Sequence, residues 1–312
     1  MPHAIDAHEL SKNYAGEHAL KDVSFTVVEG SLYGIIGADG AGKTTLLKIA
    51  TTLLPPDKGS ATVLGHDIGR ALSPIRAAIG YMPQRFSLYE DLSVIENIHF
   101  FADLFGVRGD ERRRRVERLL EFSRLAPFRK RRARDLSGGM KQKLALSCAL
   151  VHTPRLLILD EPTTGVDPVS RREFWAILRE LHDQGITIVV STPYMSEAEY
   201  CSELLLLHRG RVLQYGTPSA MVERCPIRTY RISSERAALN VPQSKADLGP
   251  LGRVYAVAGA LHVAVPRGSS VEQQRILEHV KSLAPEAAHI DPVQPTIEDL
   301  FFHYLTEEGG AS

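Results

Sequence analysis

Residues 32–50 read LYGIIGADGAGKTTLLKIA and carry the strongest local pattern in the chain. The strand-like run LYGII leads directly into GADGAGKT at residues 37–44, and the helix-like run TTLLKIA follows. The stretch matches the pattern GxxxxGK[ST] in its strand–turn–helix context. Gly40 and Gly42 allow the backbone to curl, so that its amides and the helix amino terminus point at phosphate oxygens. The sequence therefore predicts a phosphate-binding site.

The residues of this loop have distinct expected roles. Lys43 is expected to reach the β- and γ-phosphates, and Thr44 to ligate Mg²⁺. A glycine-rich turn that contains Lys-Thr by chance is the ordinary alternative, and the flanking strand and helix argue against it. The predicted nucleotide-binding residues of this segment are Gly37, Ala38, Asp39, Gly40, Ala41, Gly42, Lys43, Thr44 and Thr45.

A second buried strand is predicted at residues 156–160, LLILD, and two carboxylates stand at its end. Ligands of open α/β sheets bind at the carboxyl ends of the strands. Asp160 suits the Mg²⁺ shell, whereas Glu161, which points differently because strand side chains alternate, suits a general base. The alternative is a solvent-exposed turn, which Pro162 and the apolar strand make less favourable.

Composition limits the classes of protein that fit. The chain has 312 residues, enough for two domains, with 37 basic and 37 acidic side chains. No global basic field points to nucleic acid, so a polyanion must be recognised locally. Cys148, Cys201 and Cys225 form no CxxC pair, which suits free thiols in a reducing cytoplasm. The sequence shows no charged leader followed by an apolar core, and no apolar window of about 18 residues. We therefore expect neither a signal peptide nor a membrane span.

The pattern along the chain predicts an α/β protein with two domains. Strand-like runs and glycine-rich turns fill the part up to about residue 85, and residues 86–150 are helical. Strands return at LLILD and ITIVVS, so we expect a mostly parallel sheet with an antiparallel β part, interrupted by a helical subdomain. The composition shifts near Cys225-Pro226. We therefore predict a first domain over residues 1–225 and a small α+β domain over 226–312.

Further motifs connect the phosphate site to one family. The stretch LSGG at residues 136–139 opens a helix about twenty residues before the acidic strand end. Gln84 lies in IGYMPQRFSLYEDLSV, Asp167 lies in GVDP, and Tyr14 lies in LSKNYAG. With these motifs in this order over residues 1–225, the chain resembles the ATP-binding cassette (ABC) ATPases, whose core is a P-loop NTPase fold.

The resemblance implies a head-to-tail dimer with two ATP molecules, each held between the phosphate loop of one subunit and the LSGG helix of the other. Gln84 would contact the γ-phosphate and Mg²⁺, and Tyr14 would stack on adenine. The remaining nucleotide contacts that the resemblance implies are Ser137, Gly138, Gly139 and Asp167. Glu161, Lys43 and Gln84 would be the catalytic residues, and Thr44, Gln84 and Asp160 the metal-binding ones.

Within the family, VIENIHFFADLFGV, STPYMSEAEYC and VQPTIEDLFFHYL resemble the ATPase subunits of type 2 ABC exporters of the multidrug efflux kind. This implies a permease on a separate chain, a second cassette in a homo- or heterodimer, and a cytoplasmic location at the face of the inner membrane. The alternative is a soluble ABC ATPase that acts in DNA repair or translation. It is disfavoured because this sequence has no second phosphate loop, no zinc-ligand cysteines and no long coiled coil. No nucleic-acid partner is expected.

The chain departs from the family pattern at the end of the strand ITIVVST. The family has a switch histidine there that contacts the γ-phosphate, and this chain has Pro193, which has no side chain able to donate, accept or titrate. Losing one such contact costs roughly two to three orders of magnitude in rate. A poorly hydrolytic regulatory cassette that depends on a partner is therefore the alternative function.

We expect Pro193 to begin a helix that Thr192 caps. Smaller departures are Asp39 and Ala38.

Overall fold

The structure is a computed structural model, and it describes residues 2–85, 87–233, 252–257, 260–269, 273–283, 287 and 289–309. The strands are β1 (His3–Tyr14), β2 (Glu17–Val28), β3 (Leu32–Ile36), β4 (Lys58–Val63), β5 (His66–Asp67), β6 (Ile79–Met82), β7 (Leu156–Asp160), β8 (Thr187–Thr192), β9 (Glu203–His208), β10 (Arg211–Gly216), β11 (Ile227–Ser233), β12 (Arg253–Val257), β13 (Ala260–Pro266) and β14 (His289–Val293). The helices are α1 (Lys43–Ala50), α2 (Leu72–Ala78), α3 (Val94–Leu104), α4 (Gly109–Phe122), α5 (Gly138–Leu150), α6 (Pro168–Asp183), α7 (Pro218–Glu223), α8 (Gln273–Leu283) and α9 (Ile297–Gly309), with 3₁₀ turns at Ala126–Phe128, Ala133–Asp135 and Met195–Tyr200.

The central sheet has the strand order β10-β9-β3-β8-β7-β6, in which only β10 runs antiparallel to its neighbour. Every residue of β3, β7 and β8 is buried. Near-continuous apolar runs are typical of parallel strands that are covered on both faces. The prediction of a mostly parallel α/β core is confirmed.

A second sheet, β2-β1-β4-β5, is antiparallel and shares the hydrophobic core of the first. The sequence analysis identified only parts of it, because β1 contains charged residues and a register shift. Glu9 adopts a φ of +49°, and the pairing with β2 shifts between Ala7 and Leu10. This irregularity breaks the alternation of buried and exposed residues by which a strand is predicted.

The helical segment is built from α3, α4 and α5. Ser93 and Glu96 form a capping box at the start of α3, which satisfies two free amides there. The run Arg112–Arg115 lies on α4 and pairs with acidic side chains, namely Asp103, Asp110 and Glu111. These ion pairs favour a solvated helix face over a nucleic-acid patch.

The chain divides into two compact units, Met1–Gly216 and Thr217–Ser312. This places the boundary earlier than the expected one at residue 225, because α7 packs against α9 of the second unit. The composition changes at β11, one helix after the unit begins. The second unit has the sheet β12-β13-β11-β14 and its own core. Among the described residues, no helix combines the length and apolar character that a membrane span needs.

Candidate nucleotide site

The phosphate loop, residues 37–44, connects β3 to α1. Gly42 has a φ of +106°, and a Cβ there would lie 2.4 Å from the carbonyl oxygen of Ala19. A Cβ on Gly37 would lie 2.2 Å from the carbonyl oxygen of Leu207. Both positions require glycine, because any side chain would collide with backbone atoms that cannot move aside. The close contacts thus set the shape of the loop at the amino terminus of α1.

The strand order brings three predicted site segments to one edge of the sheet. β8 lies between β3 and β7, with Ile36 opposite Thr192 and Asp160 opposite Ser191. Because parallel strands end at the same edge, the phosphate loop, the acidic pair and the segment after β8 meet there. The prediction that Pro193 follows the strand next to that of Asp160 is confirmed.

Asp160 is fully buried at the end of β7. Its Oδ1 accepts hydrogen bonds from Thr44 Oγ1 at 3.1 Å and from Ser191 Oγ at 2.8 Å. Burial raises the pKa of this carboxyl, and the two hydroxyl hydrogen bonds partly oppose the rise. Its Oδ2 is buried and has no hydrogen-bond partner. An unpaired carboxylate oxygen is costly in this surrounding unless a cation or donor joins it.

The unpaired oxygen beside a threonine hydroxyl fits Mg²⁺, which takes oxygen ligands and usually only one or two from protein carboxylates. No cluster of three His, Cys, Asp or Glu side chains suited to a metal occurs in the described part of the chain. The donor set therefore favours a cation that completes its shell with phosphate and water oxygens, rather than one held wholly by protein.

Glu161 connects the other predicted catalytic residues. Its Oε1 lies 3.0 Å from Lys43 Nζ, and its Oε2 accepts a hydrogen bond from Gln84 Nε2 at 2.9 Å. Glu161 also has a φ of +50°, a conformation that is uncommon outside glycine and often found at functional sites. Lys43 Nζ further donates to the carbonyl oxygens of Gly37 and Ala38, at 2.7 and 3.0 Å. Glu161 therefore contacts both of the other predicted catalytic side chains.

Other predicted nucleotide contacts lie at the surface. Tyr14, at the turn between β1 and β2, is 46% exposed, so its ring is available for stacking. Ala38, Asp39 and Gly40 are exposed on the phosphate loop. Because the Asp39 carboxylate is solvated, its negative charge is screened.

The LSGG residues stand at the start of α5. The Ser137 hydroxyl caps this helix by accepting a hydrogen bond from Met140 N, and both Ser137 and Gly138 are exposed. Gly139 is buried against α6, where a Cβ would lie 2.6 Å from Ser170 Cβ. In the described ranges, no hydrogen bond joins Ser137, Gly138 or Gly139 to the cluster around Glu161.

Asp167 uses its carboxylate to cap α6. Its Oδ1 accepts hydrogen bonds from Val169 N and Ser170 N, both at 3.0 Å. A hydrogen bond with the Ser170 side chain, followed by those from the Ser170 and Val169 amides, lowers the pKa of this exposed carboxyl. Asp167, which is predicted to contact nucleotide, therefore already has an intramolecular role as the cap of α6.

The segment after β8 differs from its expected form. The helix is a short 3₁₀ turn that begins at Met195, two residues after Pro193, and it has no side-chain cap of its own. Thr192 Oγ1 instead accepts a hydrogen bond from Tyr194 N at 3.0 Å. The nearest downstream histidine, His208, ends β9 on the other side of β3. It therefore does not occupy the position that Pro193 has beside β7.

Two buried polar residues of this region were missed by sequence reasoning. Ser191 Oγ contacts Asp160 and accepts a hydrogen bond from Glu161 N at 3.0 Å. Glu197 is 1% exposed and binds side chains from three segments. The only local signal was a polar pair, Ser191-Thr192, at the end of an apolar strand.

Comparison with known proteins places the chain in a family. The model of the family described as ABC transporter matches residues 20–164. The chain is 45% identical over 249 residues to the probable multidrug ABC transporter ATP-binding protein YbhF of Escherichia coli K12, covering 77% of this chain and 43% of YbhF. It is 39% identical over 221 residues to the Nod factor export ATP-binding protein I of Rhizobium sp. strain N33, covering 70% of this chain and 73% of that protein.

Solved structures show the same fold. CbiO1 from Clostridium perfringens, described as part of the ABC transporter complex cbiONQ, is 30% identical with a TM-score of 0.66, over 72% of this chain and 92% of that chain. The ATP-binding cassette MJ0796, in a dimeric post-hydrolysis state bound to ADP and Pi, is 28% identical with a TM-score of 0.63, over 68% and 98%. The chain belongs to the ABC transporter ATPase family.

Proposed function

We propose that the chain is the ATP-binding subunit of an ABC exporter, and that it couples ATP binding and hydrolysis to transport through a membrane permease. The observation that carries the proposal is the contact of Lys43 and Gln84 with Glu161, next to the Thr44–Asp160 hydrogen bond. The relatives named for multidrug transport and Nod factor export support the direction of transport. Because the chain spans less than half of YbhF, the transported compound does not carry over.

In the proposed reaction, Lys43 and the loop amides bind the phosphates, and Tyr14 stacks on adenine. Glu161 accepts a proton from the attacking water, and Gln84 contacts both Glu161 and the γ-phosphate and so fixes their relative position. Thr44, Asp160 and Gln84 would hold Mg²⁺, which supplies charge neutralisation at the β- and γ-phosphates. Lys43 leaves its carbonyl partners and Glu161 when it turns to the phosphates.

The proposed assembly is a dimer. Ser137 and Gly138 are exposed at the start of α5 and have no hydrogen bond to the Glu161 cluster of their own chain in the described ranges. A helix amino terminus with free amides binds anions, so these residues, with Gly139 and Asp167, are proposed to close over the nucleotide of a second cassette. The dimeric MJ0796 cassette with ADP and Pi supports this arrangement.

A groove of about 180 Å³ supports the permease partner. Its lining includes Leu53, Met82 and Phe105, and it lies next to the segment that carries Gln84. Leu53 and Phe105 are 56% and 38% exposed, and neighbouring Leu104 is 66% exposed. Exposed apolar side chains around a concavity mark protein contact sites. We propose that the permease docks there, at the cytoplasmic face of the inner membrane.

Slow hydrolysis is also part of the proposal. Pro193 offers no side-chain donor at the γ-phosphate position, so turnover is expected below that of a cassette with a histidine there. The alternative of a regulatory cassette that needs a partner gains no specific support from the comparisons. It makes a different prediction, namely that the chain alone binds ATP without measurable hydrolysis.

Copurification tests the exporter assignment. Tagged chain purified from its own membranes in mild detergent is expected to carry an integral membrane protein in near-equal amount. Leu53→Asp is expected to lose that protein, because it places a charge on the lining of the groove. Leu72→Asp is the matched control, since Leu72 is 40% exposed on α2 and does not line the groove. A wild-type preparation free of membrane protein would count against the assignment.

A further inference from the structure

Glu197 is a buried charged residue with several partners beside the segment that replaces the switch histidine. Its side chain is 2% exposed and lies in the 3₁₀ turn Met195–Tyr200. A buried carboxylate is retained only where hydrogen bonds and a counter-charge compensate its lost hydration. Its partners are therefore informative about what this charge does.

The partners of Glu197 come from three separate elements. Thr163, in the loop after β7, donates from Oγ1 to both carboxylate oxygens, at 2.8 and 3.1 Å. Thr192, the last residue of β8, donates from Oγ1 at 2.5 Å. Arg171 Nε, on α6, lies 3.7 Å from Oε1. One carboxylate thus joins the loop after Glu161, the end of β8 and the start of α6.

Two of these partners, Thr192 and Thr163, lie next to residues of the nucleotide site. Thr192 accepts a backbone hydrogen bond from Gly37 N at 3.4 Å, and its neighbour Ser191 binds both Asp160 and Glu161. Thr163 is two residues from Glu161. Thr192 and Thr163 therefore connect the Glu197 carboxylate to the segments that contact the phosphate loop and carry Glu161.

Arg171 also contacts the segment that follows β8. Its guanidinium carbon lies 3.8 Å from the centre of the Tyr194 ring, a cation–π distance. Pro193 has neither an amide hydrogen nor a polar side chain, so it cannot anchor the segment itself. The position of residues 192–194 therefore depends on Thr192, on Tyr194 and on the Glu197–Arg171 pair that contacts them.

We propose that Glu197 is a positioning residue for ATP hydrolysis, whose carboxylate holds the Thr192–Tyr194 segment against the loop that carries Glu161. This inference rests on the proposed function, because it names a residue that acts on the same site through Thr163 and Thr192. Arg171 supplies the counter-charge that orients the carboxylate.

Glu197→Gln tests the inference, and Glu199→Gln is its matched control, because Glu199 belongs to the same turn and is exposed. Misplacement of a catalytic group by a fraction of an ångström to 1 Å lowers turnover by about 10- to 100-fold. We expect this loss in kcat for Glu197→Gln, with the Kd for ATP changed less than about twofold. Glu199→Gln is expected to match wild type in both. Equal kcat for Glu197→Gln and wild type would overturn the inference, and so would a parallel loss of ATP binding.

A double variant tests whether Arg171 and Glu197 act together. If they do, Arg171→Met combined with Glu197→Gln lowers kcat no further than the more severe single variant, because residues in one network are not additive. Multiplied losses would show that Arg171 acts independently and would overturn the pairing.

Hydrogen exchange supplies a readout that does not depend on turnover. The Tyr194 amide donates to Thr192 Oγ1, so Glu197→Gln is expected to speed its exchange by about tenfold or more, whereas Glu199→Gln leaves it unchanged. Unchanged exchange in Glu197→Gln would overturn the inference. A different result would contradict the proposed function itself, namely ATP turnover by Glu161→Gln as fast as that of wild type.

Discussion

Asp160 and Glu161 are neighbours in sequence but are stabilised in different ways. Glu161 has the ammonium group of Lys43 at 3.0 Å, whereas Asp160 has only neutral hydroxyl partners and a buried, unpaired Oδ2. Burial consequently raises the pKa of Asp160 above its ordinary value of 3.8. In the absence of a cation, ionised Asp160 therefore destabilises the folded chain.

Asp160→Asn is expected to stabilise the nucleotide-free chain at neutral pH. The folded carboxyl binds its proton more tightly than the unfolded one, so above its ordinary pKa the stability of wild type falls as pH rises through the raised pKa. Asparagine resembles the protonated form and lacks this loss. Thermal melting without nucleotide should give a higher Tm for the variant at pH 7, and a difference that shrinks towards pH 4. Equal Tm values at pH 7 would contradict the assigned pKa direction.

Pro193→His is expected to raise kcat, by roughly 10²-fold, because it restores a side chain able to donate to the γ-phosphate. Pro193→Ala is the control, since it removes the proline ring without adding a donor. ATP turnover with saturating nucleotide measures the effect. An equal gain in both variants would show that the ring, and not the missing donor, limits turnover.

The candidate site was predicted from sequence where its residues form local patterns. Lys43 and Thr44 lie in one glycine-rich loop, and Asp160 and Glu161 end one apolar run. Glu197 could not be predicted in this way, because its partner Thr163 is 34 residues away and Arg171 lies on another helix. Only the folded chain brings these residues together.

At the level of elements, α5 and α6 pack most closely at Gly139. A Cβ at this position would lie 2.6 Å from Ser170 Cβ, whereas the nearest atom to a Cβ at Gly138 is the Gly165 carbonyl oxygen at 3.8 Å. The absence of a side chain therefore has a different effect at Gly138 than at Gly139. Gly139 allows the two helices to approach, and Gly138 leaves the start of α5 open.

Gly139→Ala is expected to destabilise the chain by about 1–3 kcal/mol through overpacking. Gly138→Ala should change the free energy of unfolding by less than about 0.5 kcal/mol, because the site is exposed and has room. Urea unfolding of both variants measures this difference. Similar values for the two would show that α5 moves away from α6 without cost.

Elements with regular periodicity were predicted well, and irregular ones were not. The runs that became β3 and β7 are almost wholly apolar, and β8 has an apolar β-branched centre at residues 188–190, so all three were identified directly. The helix α1 ends at Ala50, although apolar residues continue to Leu54, and Thr52 adopts a φ of +61°. Such a conformation ends a helix, and no local sequence pattern announced it.

At the level of the whole molecule, each of the two units has a hydrophobic core of its own. The core of the second unit includes Val263 on β13 and Ile276 on α8, both fully buried. Ile276→Ala removes buried methylene groups and is expected to cost about 2–5 kcal/mol within that unit. Calorimetry should therefore show one transition at a lower temperature and another unchanged. A single transition that shifts as a whole would show that the units unfold together.

We propose that this chain hydrolyses Mg²⁺-ATP with Glu161 as the base and without a switch histidine. The most direct test is steady-state ATP turnover by the purified wild-type chain beside Glu161→Gln, with ATP binding measured on both. We predict slow but measurable hydrolysis by wild type, and ATP binding without hydrolysis by Glu161→Gln. Equal turnover in the two proteins, or no turnover by wild type under conditions where it binds ATP, would contradict the claim.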